Sequence, residues 1–587
     1  MPRIAVVDAK RCKPSKCGLE CMKYCPMNKS GIEAVQIDEE RDIAVIDEEK
    51  CTGCGMCVKS CPFEAVTVVN VPAPLEGEEV HRYGVNGFVL YRLPVVRAGA
   101  ATGIIGSNGV GKTTVLKILS GSLLPNFGKE NGPSSFNEVA SMFRGHELQA
   151  YFKELAEGRI KVVVKPEMID RIPQVVKGTV REVIDRFDER GEAYKAAELM
   201  ELEKLLDRSV DKLSGGELQR LALCVAYIRE ADVYMFDEPS NYLDVKQRMR
   251  AAKLIRDIVS RGKAVVLVEH DLAMLDYVSD IVHILYGVPG AYGIVSQPYG
   301  TRMGVNVFLE GYLPDENIRM RREPIEFEKK EPADRRGAPI LFTYGSIEVS
   351  YDSGFKLEAM PGDIRRGEVI GCVGPNGIGK TTFVVEIARS LSSSSSGVKV
   401  SYKPQYIKPT FDGTVEELLK TVGRGFYGTK LYQTEIISRL ELGKLLDRRV
   451  PTLSGGELQR VAVAACLSRE ADIYLLDEPS AHLDVEQRYA MAKAVARRVE
   501  SIGAAAIVVE HDIMTLDYLA ERIVLFDGEP GVYGKASPPM PHHDGMNEFL
   551  KRVGITIRRD PSTGRPRVNK PGSRLDREMK SAGVYYW

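Results

Sequence analysis

Two glycine-rich segments have the residue types and spacing of a phosphate-binding loop. GSNGVGKT at 106–113 and GPNGIGKT at 374–381 both match G-x4-G-K-[ST]. In such a loop the backbone amides surround the phosphates, the lysine contacts the β and γ phosphates, and the threonine binds Mg2+. One match could be a coincidence, but a second makes coincidence negligible. The residues that we predict to bind nucleotide here are Gly106, Asn108, Gly109, Gly111, Lys112, Thr113 and Thr114, and in the second copy Gly374, Asn376, Gly377, Gly379, Lys380, Thr381 and Thr382.

The octapeptide LSGGELQR also occurs twice, at 213–220 and 453–460. Its serine and glutamate have the spacing of a helix capping box, so the glycines between them should expose backbone amides at a helix N-terminus. Such an end attracts phosphate. We therefore predict nucleotide contacts from Ser214, Gly215, Gly216 and Glu217, and from Ser454, Gly455, Gly456 and Glu457.

Each octapeptide is followed by an apolar strand candidate that ends in Asp-Glu-Pro-Ser, VYMFDEPS at 233–240 and IYLLDEPS at 473–480. The strand would deliver Asp237 or Asp477 to Mg2+, and the adjacent Glu238 or Glu478 could polarise a water molecule. The alternative is a strand-terminating turn without chemistry. The phosphate loops and octapeptides in the same chain disfavour it.

Two histidines have matched positions in the two halves. His270 and His511 each follow an apolar strand candidate, 33 and 34 residues after the aspartate of their half. A lone histidine is usually structural or solvated, but the matched spacing favours a pair of catalytic γ-phosphate sensors.

Tyr83 and Tyr351 each lie 29 residues before the loop lysine of their half. This coincidence suggests aromatic platforms for adenine. Core packing of the tyrosines stays an open alternative, with Phe88 or Phe355 as the stacking residue instead.

Eight of the eleven cysteines fall within the first 61 residues, which indicates a metal or disulfide framework. Nucleotide motifs without a secretion signal favour metal. The second cysteine run has the spacing C-x2-C-x2-C-x3-C-P of bacterial ferredoxins, in which the fourth cysteine of each run ligates the other cluster. We therefore predict two 4Fe-4S clusters, one held by Cys25, Cys51, Cys54 and Cys57 and the other by Cys12, Cys17, Cys21 and Cys61.

A pair of zinc sites is the alternative for these cysteines, because zinc also takes thiolate ligands. Three strand candidates around them, IAVVD, IAVID and AVTVV, are expected to lie nearly parallel in a small ferredoxin-like domain. No flavin or NAD fingerprint is evident, so a structural role for the clusters is at least as well supported as electron transfer.

The length and charge of the chain limit the classes of protein to which it can belong. A chain of 587 residues should hold about four domains. A formal net charge of -1 argues against bulk electrostatic binding to nucleic acid or membrane. There is no stretch of 18 apolar residues, and the opening MPRIAVVDAK lacks the apolar region of a signal peptide. We expect a soluble, cytoplasmic α/β protein.

The halves differ by an insertion. The first half carries 28 more residues between its loop lysine and its octapeptide serine, and comparison of KPE at 165–167 with KPQ at 403–405 places the extra residues within about 128–158. This stretch reads as two amphipathic helices around Arg144-Gly145-His146, with apolar positions Met142, Phe143, Leu148, Tyr151 and Phe152. A partner-binding element is favoured over a decorative surface hairpin. The second half instead has a serine run, 392–396, which is expected to be a loop.

Similar segments close both halves, beginning at GVNVFL (304–309) and GMNEFL (545–550). Charged residues interrupted by Pro and Gly suggest straps that run over a surface. The last strap could bind a phosphate backbone or be a solvated tail, and the sequence does not decide between them. Its basic residues are Arg558, Arg559, Arg565, Arg567, Lys570 and Arg574.

Together, the paired phosphate loops, LSGGELQR signatures and Asp-Glu motifs resemble the ATP-binding cassette (ABC) superfamily over residues 75–540. The eight-cysteine N-terminus, the insertion in the first half and GYLPDEN narrow the resemblance to the ABC-E subfamily of ribosome-recycling ATPases, also called the RNase L inhibitor family. The implied segments are a ferredoxin-like α+β domain (1–72), ABC nucleotide-binding domains (73–290 and 336–530), a hinge or strap (291–335) and a second strap with a basic tail (531–587).

The resemblance implies that two ATP molecules lie between head-to-tail cassettes of one monomer, with Lys112, Asp237, Glu238 and His270 facing Ser454 and Gly456, and the converse set facing Ser214 and Gly216. It implies that cassette closure swings the iron–sulfur domain, separates the ribosomal subunits and leaves the protein on the small subunit. The implied partners are the ribosome with its RNA, a release factor or Pelota-like factor, and initiation factors, with no membrane. The short N-terminus is compatible with an archaeal source.

One residue departs from the family pattern. The family pattern has glutamine at the position of Glu167, and the equivalent residue of the second half is Gln405. The Mg2+ ligands that the resemblance implies are Thr113, Glu167 and Asp237 in the first site, and Thr381, Gln405 and Asp477 in the second. An extra carboxylate could change metal affinity or raise the pKa of a neighbour. We therefore hypothesise that the two sites hydrolyse ATP differently.

Three other functions compete with ribosome splitting. The chain could be an ATP-gated module that binds the small subunit in translation initiation. A redox-linked ATPase is disfavoured because no partner cofactor motif is evident, and a transporter ATPase because no membrane segment is.

Overall fold

The computed structural model describes residues 3–70, 77–129, 132–321, 323–327, 337–352, 354–393 and 397–587. The chain divides into two compact units. The first comprises Met1–Pro239, Leu254–Glu269 and Val278–Arg322, and the second comprises Ser240–Lys253, His270–Tyr277 and Glu323–Trp587. The expected boundaries at 72 and 335 lie outside the described residues. Within the described ranges, no helix combines the length and apolar character that crossing a membrane requires.

The N-terminal part of the first unit is a small α+β domain built around the cysteines. Its elements are β1 (Arg3–Val7), α1 (Glu20–Lys23), α2 (Pro26–Lys29), β2 (Val35–Asp38), β3 (Ile43–Ile46), α3 (Met56–Ser60) and β4 (Val66–Asn70). Both strand pairs, β1 with β4 and β2 with β3, are antiparallel, so the expectation of nearly parallel strands is wrong. The short connection from β2 to β3 suits a hairpin, whereas parallel pairing needs a crossover of a dozen or more residues.

Asn86 joins this domain to the rest of the first unit. Its side chain accepts a hydrogen bond from the Ile46 amide at 2.7 Å and donates one to the Ile46 carbonyl at 2.9 Å. Its own carbonyl accepts from the Val7 amide at 2.9 Å. Because Asn86 is buried, these bonds hold β1 and β3 in a defined position against the loop that contains Tyr83.

The remainder of the first unit centres on a nine-stranded mixed sheet. The elements of this half of the chain are β5 (Glu79–Arg82), β6 (Val89–Tyr91), β7 (Ala101–Ile105), α4 (Lys112–Leu119), α5 (Phe136–Met142), α6 (Leu148–Ala156), β8 (Val162–Lys165), α7 (Ile172–Val175), α8 (Val180–Phe187), α9 (Ala193–Leu199), α10 (Gly215–Ile228), β9 (Val233–Asp237), α11 (Val245–Ser260), β10 (Ala264–Val268), α12 (Leu272–Val278), β11 (Ile281–Val288), β12 (Tyr292–Val295), β13 (Tyr299–Gly300), α13 (Thr301–Glu310), β14 (Tyr312–Leu313) and β15 (Ile318–Arg319).

The order of this sheet determines where chemistry can occur. Strands β11, β7, β10, β9 and β8 are neighbours in that order and run parallel. Strands β7, β9 and β10 are buried throughout, as expected for parallel strands covered on both faces. The segments that follow the carboxyl ends of β7, β10, β9 and β8 therefore meet at one edge, where open α/β sheets bind ligands.

The insertion of the first half contains α5 and α6. The Phe152 ring is fully buried and stacks on Phe136 and Phe143, with centroid distances of 5.9 and 5.2 Å. The Tyr151 hydroxyl donates to the Leu119 carbonyl at 2.5 Å, which ties α6 to the end of α4. Met142, the last residue of α5, is by contrast 49% exposed, so this apolar position lies at the surface of the insertion.

The second half repeats the architecture with a second nine-stranded sheet. Its elements are β16 (Ile340–Tyr344), β17 (Ile347–Ser350), β18 (Lys356–Ala359), β19 (Gly362–Arg365), β20 (Val369–Val373), α14 (Lys380–Ser393), β21 (Val400–Lys403), α15 (Val415–Val422), α16 (Lys430–Tyr432), a π-helix (Gln433–Ser438), α17 (Gly455–Ser468), β22 (Ile473–Asp477), α18 (Val485–Ile502), β23 (Ala505–Val509), α19 (Ile513–Leu519), β24 (Arg522–Glu529), β25 (Tyr533–Ala536), β26 (Met540–Pro541), α20 (His542–Val553), β27 (Ile557–Arg559), β28 (Pro566–Val568) and α21 (Arg574–Ser581). The parallel order is β24, β20, β23, β22 and β21. Ser392 and Ser393 end α14 instead of lying in a loop, and 394–396 lie outside the described residues.

The C-terminal segment is folded into the second unit and is not a strap over its surface. Ile557 and Arg565 of the β27–β28 hairpin are fully buried. The Arg565 guanidinium makes a two-bond ion pair with Asp276, at 2.6 and 3.0 Å, and Arg559 pairs with Asp517. Only Arg574 of these arginines points into solvent. The expected basic patch is therefore divided: Arg565 is buried and neutralised by Asp276, whereas Lys570 and Arg574 are exposed.

Arg565→Met should strongly destabilise the C-terminal segment. Asp276 has no exposed side-chain surface, and its remaining cationic neighbour, Arg567, lies 3.6 Å away. Breaking a buried ion pair costs about 3–5 kcal/mol because the other charge stays uncompensated. Amide hydrogen exchange in β27 and β28 and the thermal midpoint would measure the loss. The exposed pair Arg574–Glu578 provides the control, since Arg574→Met should change stability by less than about 0.5 kcal/mol. Equal behaviour of the two variants would contradict this prediction.

Candidate functional site: paired nucleotide sites and a cysteine-rich domain

Both glycine-rich loops join a central strand to a helix at the ligand-binding edge of its sheet. The first runs from β7 to α4, which begins at Lys112, and the second from β20 to α14, which begins at Lys380. Gly111 and Gly379 precede these lysines with φ of 101° and 91°, a region that side-chain-bearing residues rarely adopt. The loops therefore need glycine for their turn, and each presents a helix N-terminus to a phosphate.

The loop lysines are buried and bonded to their own loops. Lys112 Nζ donates to the carbonyls of Gly106 and Ser107, both at 2.9 Å. Lys380 Nζ donates to the carbonyls of Gly374 and Pro375, at 2.9 and 2.5 Å. Each ammonium thus lies inside the curve of the loop, where a phosphate would be surrounded by amides.

The candidate adenine-stacking residues border these loops. Tyr83 and Tyr351 are 43% and 47% exposed. Their hydroxyls contact Thr114 and Thr382, at 3.2 and 3.3 Å. Phe88 and Phe355 instead pack against the loops, since a Cβ on Gly111 or Gly379 would lie 2.7 or 3.0 Å from their rings. The tyrosines therefore have ring surface available for an adenine base, whereas the phenylalanine rings pack against the glycine-rich loops.

The acidic pairs lie at the ends of β9 and β22. Thr113 Oγ1 donates to Asp237 at 3.3 Å, which brings the two candidate Mg2+ ligands together. Burial, with Glu238 and Glu167 as acidic neighbours, raises the pKa of Asp237 to about 7. Burial likewise raises the pKa of Asp477. Burial thus disfavours the charged form of both carboxylates, and a bound cation would favour it.

In the second half, the glutamate after the aspartate is surrounded by donors. Glu478 Oε1 lies 3.3 Å from His511 Nε2 and accepts a hydrogen bond from Gln405 Nε2 at 2.8 Å. Burial acts to raise the pKa of Glu478, but His511, together with Lys380 and Gln405, lowers it to about 2. The carboxylate therefore stays ionised at physiological pH and can accept a hydrogen bond from water.

The first half has a carboxylate where the second has the Gln405 amide. Burial, followed by repulsion from Glu238, raises the pKa of Glu167. When ionised, Glu167 has no proton to donate to Glu238, so it cannot repeat the Gln405–Glu478 bond. His270 is buried, follows Glu269 directly, and belongs to the second unit.

Glu167→Gln should make Mg2+ binding at the first site less sensitive to pH. Removing this negative neighbour lowers the pKa of Asp237, a candidate Mg2+ ligand, and a carboxylate binds Mg2+ only when it is deprotonated. With a pKa of about 7 in the unmodified site, Mg2+ affinity should be about tenfold lower at pH 6 than at pH 8, and the variant should lose much less. Mg2+ titrations of fluorescent ATP-analogue binding at both pH values would measure this.

Gln405→Glu is the reciprocal control, because it adds the same charge beside Asp477 and should increase the pH dependence at the second site. Identical pH profiles for the unmodified protein and Glu167→Gln would contradict the prediction.

The signature serines cap helices in both halves. Ser214 and Ser454 each accept from the backbone of the glutamate three residues on, and each glutamate reciprocally bonds the serine amide, which completes a capping box. Helices α10 and α17 consequently begin with Gly215-Gly216 and Gly455-Gly456, as the local sequence predicts.

Four buried donors near the acidic pairs were not anticipated. Lys165 and Lys403, each 1% exposed, end β8 and β21 and contact the backbone of the Asp-Glu pairs, as do Gln219 and Gln459 of the signature helices. The sequence signal for the lysines is the repeated Lys-Pro dipeptide before Glu167 and Gln405. The repeated dipeptide shows that Lys165 and Lys403 occupy equivalent positions in the two halves, but it does not show that their side chains are buried.

The eight N-terminal cysteines form two groups of four. Cys12, Cys17, Cys21 and Cys61 line one cavity of about 20 Å3. The thiols that act on Cys57 are Cys51, Cys54 and Cys25, and burial, reinforced by these neighbours, raises its pKa to about 11. Within the described residues, no three His, Cys, Asp or Glu side chains are arranged to hold a single metal ion.

Backbone amides point at several of these sulfurs. The Ala44, Leu19, Ala65 and Gly53 amides donate to the sulfurs of Cys12, Cys17, Cys61 and Cys51, each at 3.4 Å. Hydrogen bonds to sulfur stabilise the thiolate form that ligates iron. Four thiols around one cavity, with amide donors behind them, fit an iron–sulfur cluster.

Three family models match the chain. The model described as ABC transporter matches residues 95–241 and 357–481, the 4Fe-4S binding domain matches 44–67, and the possible Fer4-like domain in RNase L inhibitor matches 2–33. With the two P-loop sites, these matches make the chain an ATPase of the ABC class that binds ATP, Mg2+ and two 4Fe-4S clusters. The expected fold class is confirmed.

Relatives that match this chain over its full length identify its family within the ABC class. An uncharacterised ABC transporter ATP-binding protein of Methanocaldococcus jannaschii is 51% identical over 100% of this chain and 97% of its own. Translation initiation factor RLI1 of Saccharomyces cerevisiae is 43% identical over 100% and 98%. The chain belongs to the ABC-E, or RNase L inhibitor, family.

Two solved structures are similar. One is a model of ribosome-bound archaeal Pelota and ABCE1, with a TM-score of 0.91 and 51% identity over 100% of this chain and 99% of that one. The other is the complex of archaeal ribosomal stalk protein aP1 with the archaeal ribosome recycling factor aABCE1, with a TM-score of 0.84 and 52% identity over 87% and 99%.

Proposed function

We propose that this chain uses Mg-ATP to split ribosomes into subunits and then remains on the small subunit. The observation that carries the proposal is its likeness, over the whole chain, to the ribosome-bound archaeal ABCE1. Both nucleotide sites keep the residues that hydrolysis needs, and the cysteine-rich domain is present with all eight thiols. The proposed place of action is the cytoplasm, where ribosomes are found.

The site residues have the following proposed roles. Lys112 and Lys380 bind the β and γ phosphates, and Thr113, Asp237, Thr381 and Asp477 bind Mg2+, with Glu167 or Gln405 beside them. Glu238 and Glu478 polarise the attacking water, and His270 and His511 contact the γ-phosphate. The proposed cluster ligands are Cys25, Cys51, Cys54 and Cys57 for one cluster, and Cys12, Cys17, Cys21 and Cys61 for the other.

We assign a role to each of the segments predicted from the sequence. Residues 1–72 form the cluster domain, 73–290 and 336–530 are the nucleotide-binding domains, and 291–335 and 531–587 connect or brace them. The helices α5 and α6, which the second half lacks, are the proposed contact with the small subunit. A stalk protein, a Pelota-like factor and a release factor are the proposed partners, in line with the complexes of the relatives.

Sedimentation with ribosomes from the same source tests the proposal. Anaerobically purified protein is mixed with ribosomes, with and without a non-hydrolysable ATP analogue, and protein and subunits are followed through a gradient. We expect free subunits, and protein with the small one, only when nucleotide is present. Protein that stays at the top under every nucleotide condition, with clusters intact, would contradict the proposal.

A role in translation initiation is a second candidate, because the yeast relative carries that name. Both functions predict binding to the small subunit, so binding does not separate them. Light scattering during a single turnover does, since only a splitting enzyme lowers the mass of intact ribosomes.

A further inference from the structure

Each catalytic glutamate has an unusual backbone conformation. Glu238 and Glu478 both have φ of 46°, in the left-handed region. A residue other than glycine is strained in this region and keeps the conformation only where its surroundings fix it. The same φ in both halves indicates that the conformation is required. The question is which groups hold it.

Two buried side chains from separate segments bond the backbone at this point. In the second half, Lys403 Nζ donates to the carbonyls of Asp477 and Glu478, at 2.7 and 3.0 Å, and Gln459 Nε2 donates to the Glu478 carbonyl at 2.7 Å. In the first half, Lys165 Nζ donates to the carbonyls of Asp237 and Glu238, at 2.8 and 3.2 Å, and Gln219 Nε2 donates to the Glu238 carbonyl at 2.9 Å.

The burial of these donors argues for a specific role. Both lysines are 1% exposed, and an ammonium removed from water is stable only with hydrogen bonds and nearby negative charge. A packed apolar side chain would fill the same space without this cost, so stability alone does not account for a lysine at both positions.

We propose that Lys165 and Lys403 are positioning residues, which with Gln219 and Gln459 fix the backbone carbonyl of each catalytic glutamate so that its carboxylate is aimed at the attacking water. Each pair of donors joins two elements to the same carbonyl. The lysine ends the strand before Glu167 or Gln405, and the glutamine belongs to the signature helix. The signature helix of each half therefore also holds the catalytic glutamate of that same half.

The test is ATP turnover by the full-length, cluster-loaded variant Lys165→Met, Lys403→Met. Methionine keeps the volume of the buried stem and removes the donor. We expect kcat to fall about 10- to 100-fold, because small misplacements of catalytic groups cost this much. The KM for ATP should change by less than about twofold, since the phosphate-binding lysines are untouched. A merely structural role would instead lower the thermal midpoint without separating kcat from KM.

The matched control is Val163→Ala, Ser401→Ala. Both residues are buried two positions earlier on the same strands, β8 and β21, and Ser401 Oγ donates to the Cys466 carbonyl, away from the acidic pair. This control should lose thermal stability and keep kcat. Equal kcat values for the lysine variant and the control would overturn the proposal.

The glutamine variant Gln219→Met, Gln459→Met provides a second test if the lysine variant does not fold. It removes one neutral donor at each site and should lower kcat about fivefold with KM unchanged. An unchanged kcat in this variant would also overturn the proposal.

The inference rests on the proposed role of Glu238 and Glu478 in hydrolysis, but not on ribosomes. Unmodified protein that hydrolyses no ATP would overturn both the proposed function and this inference. Active protein whose lysine and glutamine variants match it would overturn the inference alone.

Discussion

Replacing Glu238 and Glu478 together by glutamine should slow ATP hydrolysis by about 10²- to 10⁴-fold and leave ATP binding intact. Glutamine has nearly the same shape and can keep the left-handed backbone, but its amide oxygen is a far weaker acceptor for the proton of the attacking water. In the second half the substitution also removes the carboxylate that His511 and Gln405 contact. Phosphate release at saturating Mg-ATP measures the rate, and equilibrium binding of a fluorescent ATP analogue measures affinity.

A control with the same change of charge is available in both halves. Glu230 and Glu470 lie before the starts of β9 and β22, at the opposite end of the strands from the acidic pairs, and their side chains are well exposed. Glu230→Gln, Glu470→Gln should hydrolyse ATP at the unmodified rate. Hydrolysis within about threefold of normal in Glu238→Gln, Glu478→Gln would show that another group activates the water.

Cysteine substitutions in pairs should distinguish crossed from sequential cluster ligation by a large change in iron content. If Cys25 serves the cluster of the second run, Cys25→Ser, Cys54→Ser removes two ligands from one cluster and should leave about half of the iron. Cys21→Ser, Cys25→Ser removes one ligand from each cluster and should leave little. Sequential ligation predicts the reverse order. Iron and acid-labile sulfide, measured anaerobically, give the answer.

Cys224→Ser is the control for these substitutions. Cys224 is fully buried in the signature helix α10, outside the cysteine-rich domain, and should not affect the iron content. Near-normal iron in both paired variants would contradict cluster ligation by these cysteines.

Features encoded in contiguous residues could be predicted from the sequence. The capping boxes at Ser214 and Ser454 need only four residues each, and the phosphate loops only eight. The insertion in the first half could be located because the second half repeats the same motifs without it. The continuous apolar runs before the acidic pairs and histidines similarly indicated buried strands of an α/β fold, because parallel strands covered on both faces have such runs.

Features that depend on contacts between residues far apart in the sequence could not be predicted. Lys165 and the Asp237 carbonyl are separated by 72 positions, and Arg565 and Asp276 by 289. A lysine or arginine normally lies at the surface, so composition predicts solvent for both. The sequence of the basic tail therefore suggests a surface strap, although the buried Asp276 neutralises Arg565. The direction of the strands near the cysteines could not be predicted either, because an apolar pattern does not specify direction and the long segment between β1 and β4 permits both.

The bonds from Lys112 and Lys380 to their own loop carbonyls bear on how quickly the enzyme can cycle. A buried ammonium that lost its phosphate partner without replacement would make product release slow, because leaving a charge unpaired is unfavourable. Here the carbonyls of Gly106 and Gly374, each 2.9 Å from the lysine, receive that ammonium. Departure of product then exchanges one set of acceptors for another. The same bonds hold the curve of each loop, so an incoming phosphate would meet a prearranged site and its association would carry less ordering cost.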